Sequence, residues 1–130
     1  MSRYVLDSHA VLAFLQQERG WERVKDLITA SSSGAVELYM SIINLAEVKY
    51  IVMRRKEHTP RVMAAIEALP VRILSADECI DQVIALKTRF AVSLADCFAA
   101  AAAIQLDCPL VTADSEFSKL EGVLQIEWLR

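Results

Sequence analysis

Short apolar runs that lack helical spacing recur along this chain, and longer stretches with helical spacing separate nearly all of them. The runs fall at 3–7 (Arg-Tyr-Val-Leu-Asp), 37–41, 71–74, 109–112 and 123–127. Between them, 8–18 carries Val11, Leu12, Phe14 and Leu15 on one helical stripe, and Gly20 ends that helix. A second helix is expected over 21–31 and a third over 42–56, capped by Ser41. Thr59-Pro60 has the cap-then-proline order of a fourth, ending near Pro70. Ser75 and Glu78 form a capping-box pattern that opens a fifth helix running to about Phe90. Ser93 caps a sixth over 94–106, in which Ala99–Ala103 lets two backbones approach closely. Strands joined through helical crossovers must run parallel, and a parallel sheet needs helices on both faces. The pattern therefore predicts an α/β fold whose ligands sit at the carboxyl ends of its strands.

The chain has 130 residues, the size of one domain, and 55% of them are hydrophobic, enough to fill a core. Glycine and proline are too scarce for long linkers, so a single domain over 1–130 is expected. The cysteines Cys79, Cys97 and Cys108 are odd in number and contain no C-x-x-C pair, which disfavours disulfides and zinc knuckles and favours buried free thiols. Asp7 and His9 interrupt the first apolar run, so it does not read as a secretory signal. No stretch free of Asp, Glu, Lys and Arg exceeds ten residues, whereas a membrane span needs about 20. A cytoplasmic protein with no membrane contact is expected.

A formal net charge of −3 would repel nucleic acid if the acids were spread evenly. Four of them are not placed as surface acids usually are. Asp7 ends the first strand, Glu47 lies among apolar neighbours in the third helix, Asp96 is in the first turn of the sixth, and Asp114 follows the fourth strand. Setting these four aside leaves thirteen acidic side chains against fourteen basic ones. Each has a structural alternative: Asp7 as a helix cap, Asp96 as the return arm of a capping box with Ser93, Asp114 as the opener of a turn. Glu47 has the weakest such alternative. Carboxylates gathered together cannot all ionise unless a cation offsets their repulsion, and an all-oxygen set suits Mg2+ or Mn2+. With only His9 and His58 available, zinc sites and Ser-His-Asp triads are poorly served. An all-carboxylate metal site suits phosphodiester hydrolysis by a metal-activated water and needs no histidine base.

The stretches Tyr4-Val-Leu-Asp7-Ser8-His-Ala-Val-Leu-Ala, Ile42-Ile-Asn-Leu-Ala-Glu47-Val, Ser93-Leu-Ala-Asp96-Cys-Phe-Ala-Ala-Ala and Leu110-Val-Thr112-Ala-Asp114-Ser-Glu-Phe117 together resemble the PIN domain, and specifically the VapC-like toxins. The resemblance implies a five-stranded parallel sheet flanked by helices and a Mg2+- or Mn2+-dependent endoribonuclease. It makes Asp7, Glu47, Asp96 and Asp114 the catalytic and metal-binding acids, Asp7 and Asp96 foremost, and Ser8 and Thr112 supporting hydroxyls that orient carboxylates or water. His9 departs from the small polar residue expected there and is read as a local packing variant. Ala113 stands where a basic residue is common, which weakens RNA contact at that point. The implied partners are an RNA substrate, a VapB-like antitoxin whose tail blocks the site, and a second copy in a homodimer. Phe14, Trp21, Tyr50, Ile51 and Met53 are candidates for the antitoxin groove, with ordinary packing as the alternative.

Arg54-Arg55-Lys56, Lys87 and Arg89 are open to two readings, phosphate contact or solvated helix ends. A phosphoacceptor receiver domain would want paired acids after the first strand and a lysine after the fifth, and neither is present. A non-catalytic PIN-like module would lack some of the acids. A housekeeping single-strand nuclease without an antitoxin, or one acting on DNA, fits the same metal chemistry.

Overall fold

A computed structural model describes all 130 residues. Its five strands are β1 (Ser2–Leu6), β2 (Val36–Ser41), β3 (Val71–Leu74), β4 (Leu110–Thr112) and β5 (Ile126–Trp128). They lie in the order β3-β2-β1-β4-β5, and every neighbouring pair is parallel. The helices are α1 (Ser8–Gln16), α2 (Trp21–Ser32), α3 (Ile42–Arg54), α4 (Pro60–Glu67), α5 (Ile80–Arg89) and α6 (Leu94–Leu106), with 3₁₀ turns at Asp77–Cys79 and Ser115–Leu120. The α/β class and the parallel five-stranded sheet are those the sequence predicted.

Alternation along the strands decides which core each side chain enters. Val5, Tyr39 and Leu110 face one side, where α5, α6, Phe117 and Leu120 cover them. Leu6, Leu38, Met40 and Val111 face the other, against α1, α2, α3 and α4. Burying each such aliphatic side chain contributes about 1.5–3 kcal/mol. Helix α6 is buried from Asp96 through Ala103, apolar on nearly every side, as a helix packed between a sheet and two other helices must be. The alanine block keeps it slender enough to fit.

Local chemistry sets most of the boundaries. Ser41, Thr59 and Ser93 each accept a hydrogen bond from a first-turn amide of the helix that follows. Gly20 takes φ +88°, and a Cβ there would stand 2.7 Å from the Cβ of Leu129, so the turn into α2 needs glycine for both backbone and space. Two expectations are corrected. The capping box at Ser75–Glu78 does not form: Cys79 turns inward at φ −127°, splitting the segment into a 3₁₀ turn and a helix that starts at Ile80. The last strand begins at Ile126 rather than 123, because Val123 and Leu124 both donate back to the Leu120 carbonyl and close a turn first.

From β1 the chain steps outward to β2 and β3, then returns to the far side of β1 to lay down β4 and β5. The order therefore reverses between β1 and β4, the kind of switch point at whose carboxyl ends sheets of this class bind ligands.

Candidate active site

Asp7 is the first residue past β1 and lies at that reversal. It caps α1: its Oδ1 accepts from the Ala10 amide at 2.8 Å, and its Oδ2 accepts from the Thr112 hydroxyl at 2.5 Å. Thr112, the last residue of β4, in turn accepts from the Asp114 amide at 3.0 Å. The ends of two adjacent strands are thus tied through one carboxylate, which is 1% exposed.

The other three acids reach this point from three elements. Glu47 projects from the second turn of α3, and its Oε1 accepts from the Ser8 hydroxyl. Asp96 is 8% exposed in the first turn of α6, where its amide donates to Ser93 Oγ at 3.1 Å. No return bond runs from the Asp96 carboxylate to the Ser93 amide, so Asp96 does not complete a capping box. Asp114 follows β4 and caps the 3₁₀ turn through Oδ1, which accepts from the Glu116 amide at 3.0 Å. Its Oδ2 lies 3.2 Å from Nε2 of His9, whose side chain is 49% exposed. His9 therefore corrects its sequence reading, because it is exposed and its ring meets Asp114 instead of packing locally.

Electrostatics joins the four acids into one cluster. Burial raises the Asp7 carboxyl to about 7, against the pull of Thr112, Ala10 and His9, and Asp96 pushes the same way as burial. Burial also raises Asp96, with Asp114 and Glu47 adding repulsion while Ser93 and His9 oppose it. No three His, Cys, Asp or Glu side chains close tightly enough to hold a metal ion by themselves.

Four of the five ambiguous cations have protein partners, Arg55 among them through Gln16. Lys87 donates to the Val92 carbonyl at 2.6 Å and Lys119 to the Ala91 carbonyl at 3.0 Å, so two ammonium groups hold the loop leading to Ser93 and Asp96. Arg89 lies over Phe90, and Arg54 lies over Tyr50. Of the five apolar groove candidates, Phe14 and Trp21 line a groove of about 700 Å³ between α1, α2 and α4, along with Leu15, Val62 and Ala65. Ile51 packs against the core on that side of the sheet, while Tyr50 and Met53 are exposed on α3. No helix is long and apolar enough to cross a membrane.

A family model described as the PIN domain matches residues 4–123. Among curated proteins no sequence matches. Among solved structures, the chain is similar to VapBC2 from Rickettsia felis, crystallised on a DNA fragment from its promoter, with a TM-score of 0.75 and 20% identity over 98% of this chain and 99% of that one. It is similar to VapC20 from Mycobacterium tuberculosis, a toxin that cleaves the sarcin–ricin loop, with a TM-score of 0.69 and 17% identity over 93% and 95%. A third is PAE2754 from Pyrobaculum aerophilum, with a TM-score of 0.68 and 18% identity over 95% and 90%. At these identities the likeness is one of fold.

Proposed function

The chain belongs to the PIN-domain family, and on that premise we propose that it is a metal-dependent endoribonuclease, the toxin of a toxin–antitoxin pair. The observation that carries this reading is the fully buried Asp7 at the sheet's reversal point, electrostatically linked to Asp96 and, through it, to Glu47 and Asp114. A soluble fold has no reason to bury carboxylates against one another unless a positive charge joins them. The donor set is all oxygen, which fits Mg2+ or Mn2+ held by one or two carboxylates. Asp7 and Asp96 would hold the ion, and Glu47 and Asp114 would complete its surroundings. When bound, such an ion polarises the scissile phosphate and acidifies water near neutral pH.

The protein's own part is orientation. Thr112 fixes one oxygen of Asp7 and the Ala10 amide fixes the other, so the carboxylate cannot turn. Ser8 fixes Glu47 in the same way across two helices. Lys87 and Lys119 hold the loop that aims Asp96, which serves the site more directly than phosphate contact would.

The VapBC neighbours support a small VapB-like antitoxin as partner, and the groove between α1, α2 and α4 has the apolar lining such a tail requires. Exposed Tyr50, Ile84 and Leu94, on three helices that pack together, favour a homodimer. The test is cleavage of single-stranded RNA by the purified chain. A chelator should abolish it and Mg2+ or Mn2+ should restore it, while Asp7→Asn and Asp96→Asn should stay inactive yet folded. Full activity in both variants removes the proposed mechanism.

A further inference from the structure

Asn44 lies one turn before Glu47 on α3, on the buried stripe it shares with Val48 and Val52. It is 1% exposed. Its Nδ2 donates to the Ala95 carbonyl at 3.1 Å, next in sequence to Asp96. Its Oδ1 is buried and has no hydrogen-bond partner, the one buried side-chain polar atom of which this is true. The amide cannot be turned round to cure this, because Oδ1 would then face the Ala95 carbonyl, oxygen against oxygen.

An orphaned buried acceptor is destabilising, and a leucine of similar volume would avoid that cost. A residue kept for packing would not be polar here. Its one bond joins the helix that carries Glu47 to the first turn of the helix that carries Asp96. We propose that Asn44 is a positioning residue, which holds Asp96 at its working distance from Glu47 by anchoring the Ala95 carbonyl. The reading rests on the proposed metal-dependent nuclease site. The orphaned oxygen is the by-product of that anchor, because the amide must turn its nitrogen toward α6.

The test compares wild type, Asn44→Leu and Asn44→Ser in three measurements: thermal melting, Mn2+ binding by calorimetry in the absence of RNA, and steady-state RNA cleavage. Asn44→Leu should melt no lower than wild type, since it removes the orphan. It should bind Mn2+ about 10- to 100-fold more weakly and lose kcat by a similar factor, the usual effect of removing a group that orients a metal-binding carboxylate. KM for RNA should stay within about twofold, because nothing that touches RNA has changed. Asn44→Ser keeps a donor and should recover part of the Mn2+ affinity. Unchanged Mn2+ binding and kcat in Asn44→Leu overturn the proposal, and so does a fall in melting temperature with metal affinity intact. If Asn44→Leu does not fold, Asn44→Ser decides: a partial loss of Mn2+ affinity and kcat supports the anchor, and values equal to wild type overturn it, because the shorter side chain cannot hold the Ala95 carbonyl at the same distance. A wild-type chain that neither binds Mn2+ nor cuts RNA ends the nuclease reading itself and takes this inference with it, whereas a functional wild type matched by Asn44→Leu ends the inference alone.

Discussion

Asp7 and Asp96 both stand at the start of a helix, yet the two helix starts are built differently. At α1 the acid is itself the cap, with one oxygen on the Ala10 amide and the other on the Thr112 hydroxyl. At α6 the cap is Ser93, and Asp96 is relieved of that duty three residues later. One helix start merges structure and proposed chemistry in a single carboxylate; the other divides them between two side chains. Substitutions at the two places should therefore fail in different ways.

The largest expected effect is on chemistry. Asp96→Asn should lower RNA cleavage by about a thousandfold or more, the several kcal/mol that a lost metal contact removes from transition-state stabilisation. Its melting temperature should not fall, because Ser93 still caps α6. A drop in stability together with activity would show that the division of labour at α6 is not real.

Next comes pH. The Asp7 carboxyl is raised above its ordinary value, so its proton is held more tightly in the folded chain than in the unfolded one. No penalty exists below about pH 4, it grows as pH rises, and it is complete above about pH 7. The metal-free protein should thus lose on the order of 4 kcal/mol between those limits. Chemical denaturation in chelator across this range measures it. Asp7→Asn should flatten the slope far more than Asp96→Asn, and Mg2+ should stabilise wild type at pH 8 but little at pH 5. Equal slopes for the two variants would erase the contrast.

Smaller effects sharpen it. Asp7→Ala should be about 1–2 kcal/mol less stable than Asp7→Asn, since asparagine can still cap α1 while alanine leaves the Ala10 amide and the Thr112 hydroxyl unpaired. Ser93→Ala should cost about 1 kcal/mol and leave most of the cleavage activity, the reverse of Asp96→Asn. Smallest of all, His9→Ala should change stability by less than about 1 kcal/mol, because its contact with Asp114 is half in water. A much larger loss of cleavage in that variant would move His9 into the chemistry.

Local order was legible in the chain because it is written over short distances. Strand and helix periodicities, the caps at Ser41, Thr59 and Ser93, and the break at Gly20 each involve residues within a turn or two. The four acids stood out singly, by their apolar neighbours or by their places at strand and helix ends. For Asp7 and Asp114 the capping alternatives also hold: the same carboxylates cap helical turns and belong to the acidic cluster. Periodicity misplaced the last strand and the start of α5, where backbone turns at Leu120–Leu124 and Cys79 outweigh side-chain pattern.

By itself the sequence determined the parallel sheet and the sheet edge that carries Asp7 and Asp114, since helical crossovers leave strands no other sense and alternation sorts their side chains between two cores. Only the tertiary structure decided the strand order that puts Asp7 beside Thr112, 105 residues away in sequence, and the packing of α3 on α6 that gives Asn44 a carbonyl to hold. The reason is physical: caps and periodicity act within a few residues, whereas burial of charge depends on which distant elements exclude water together.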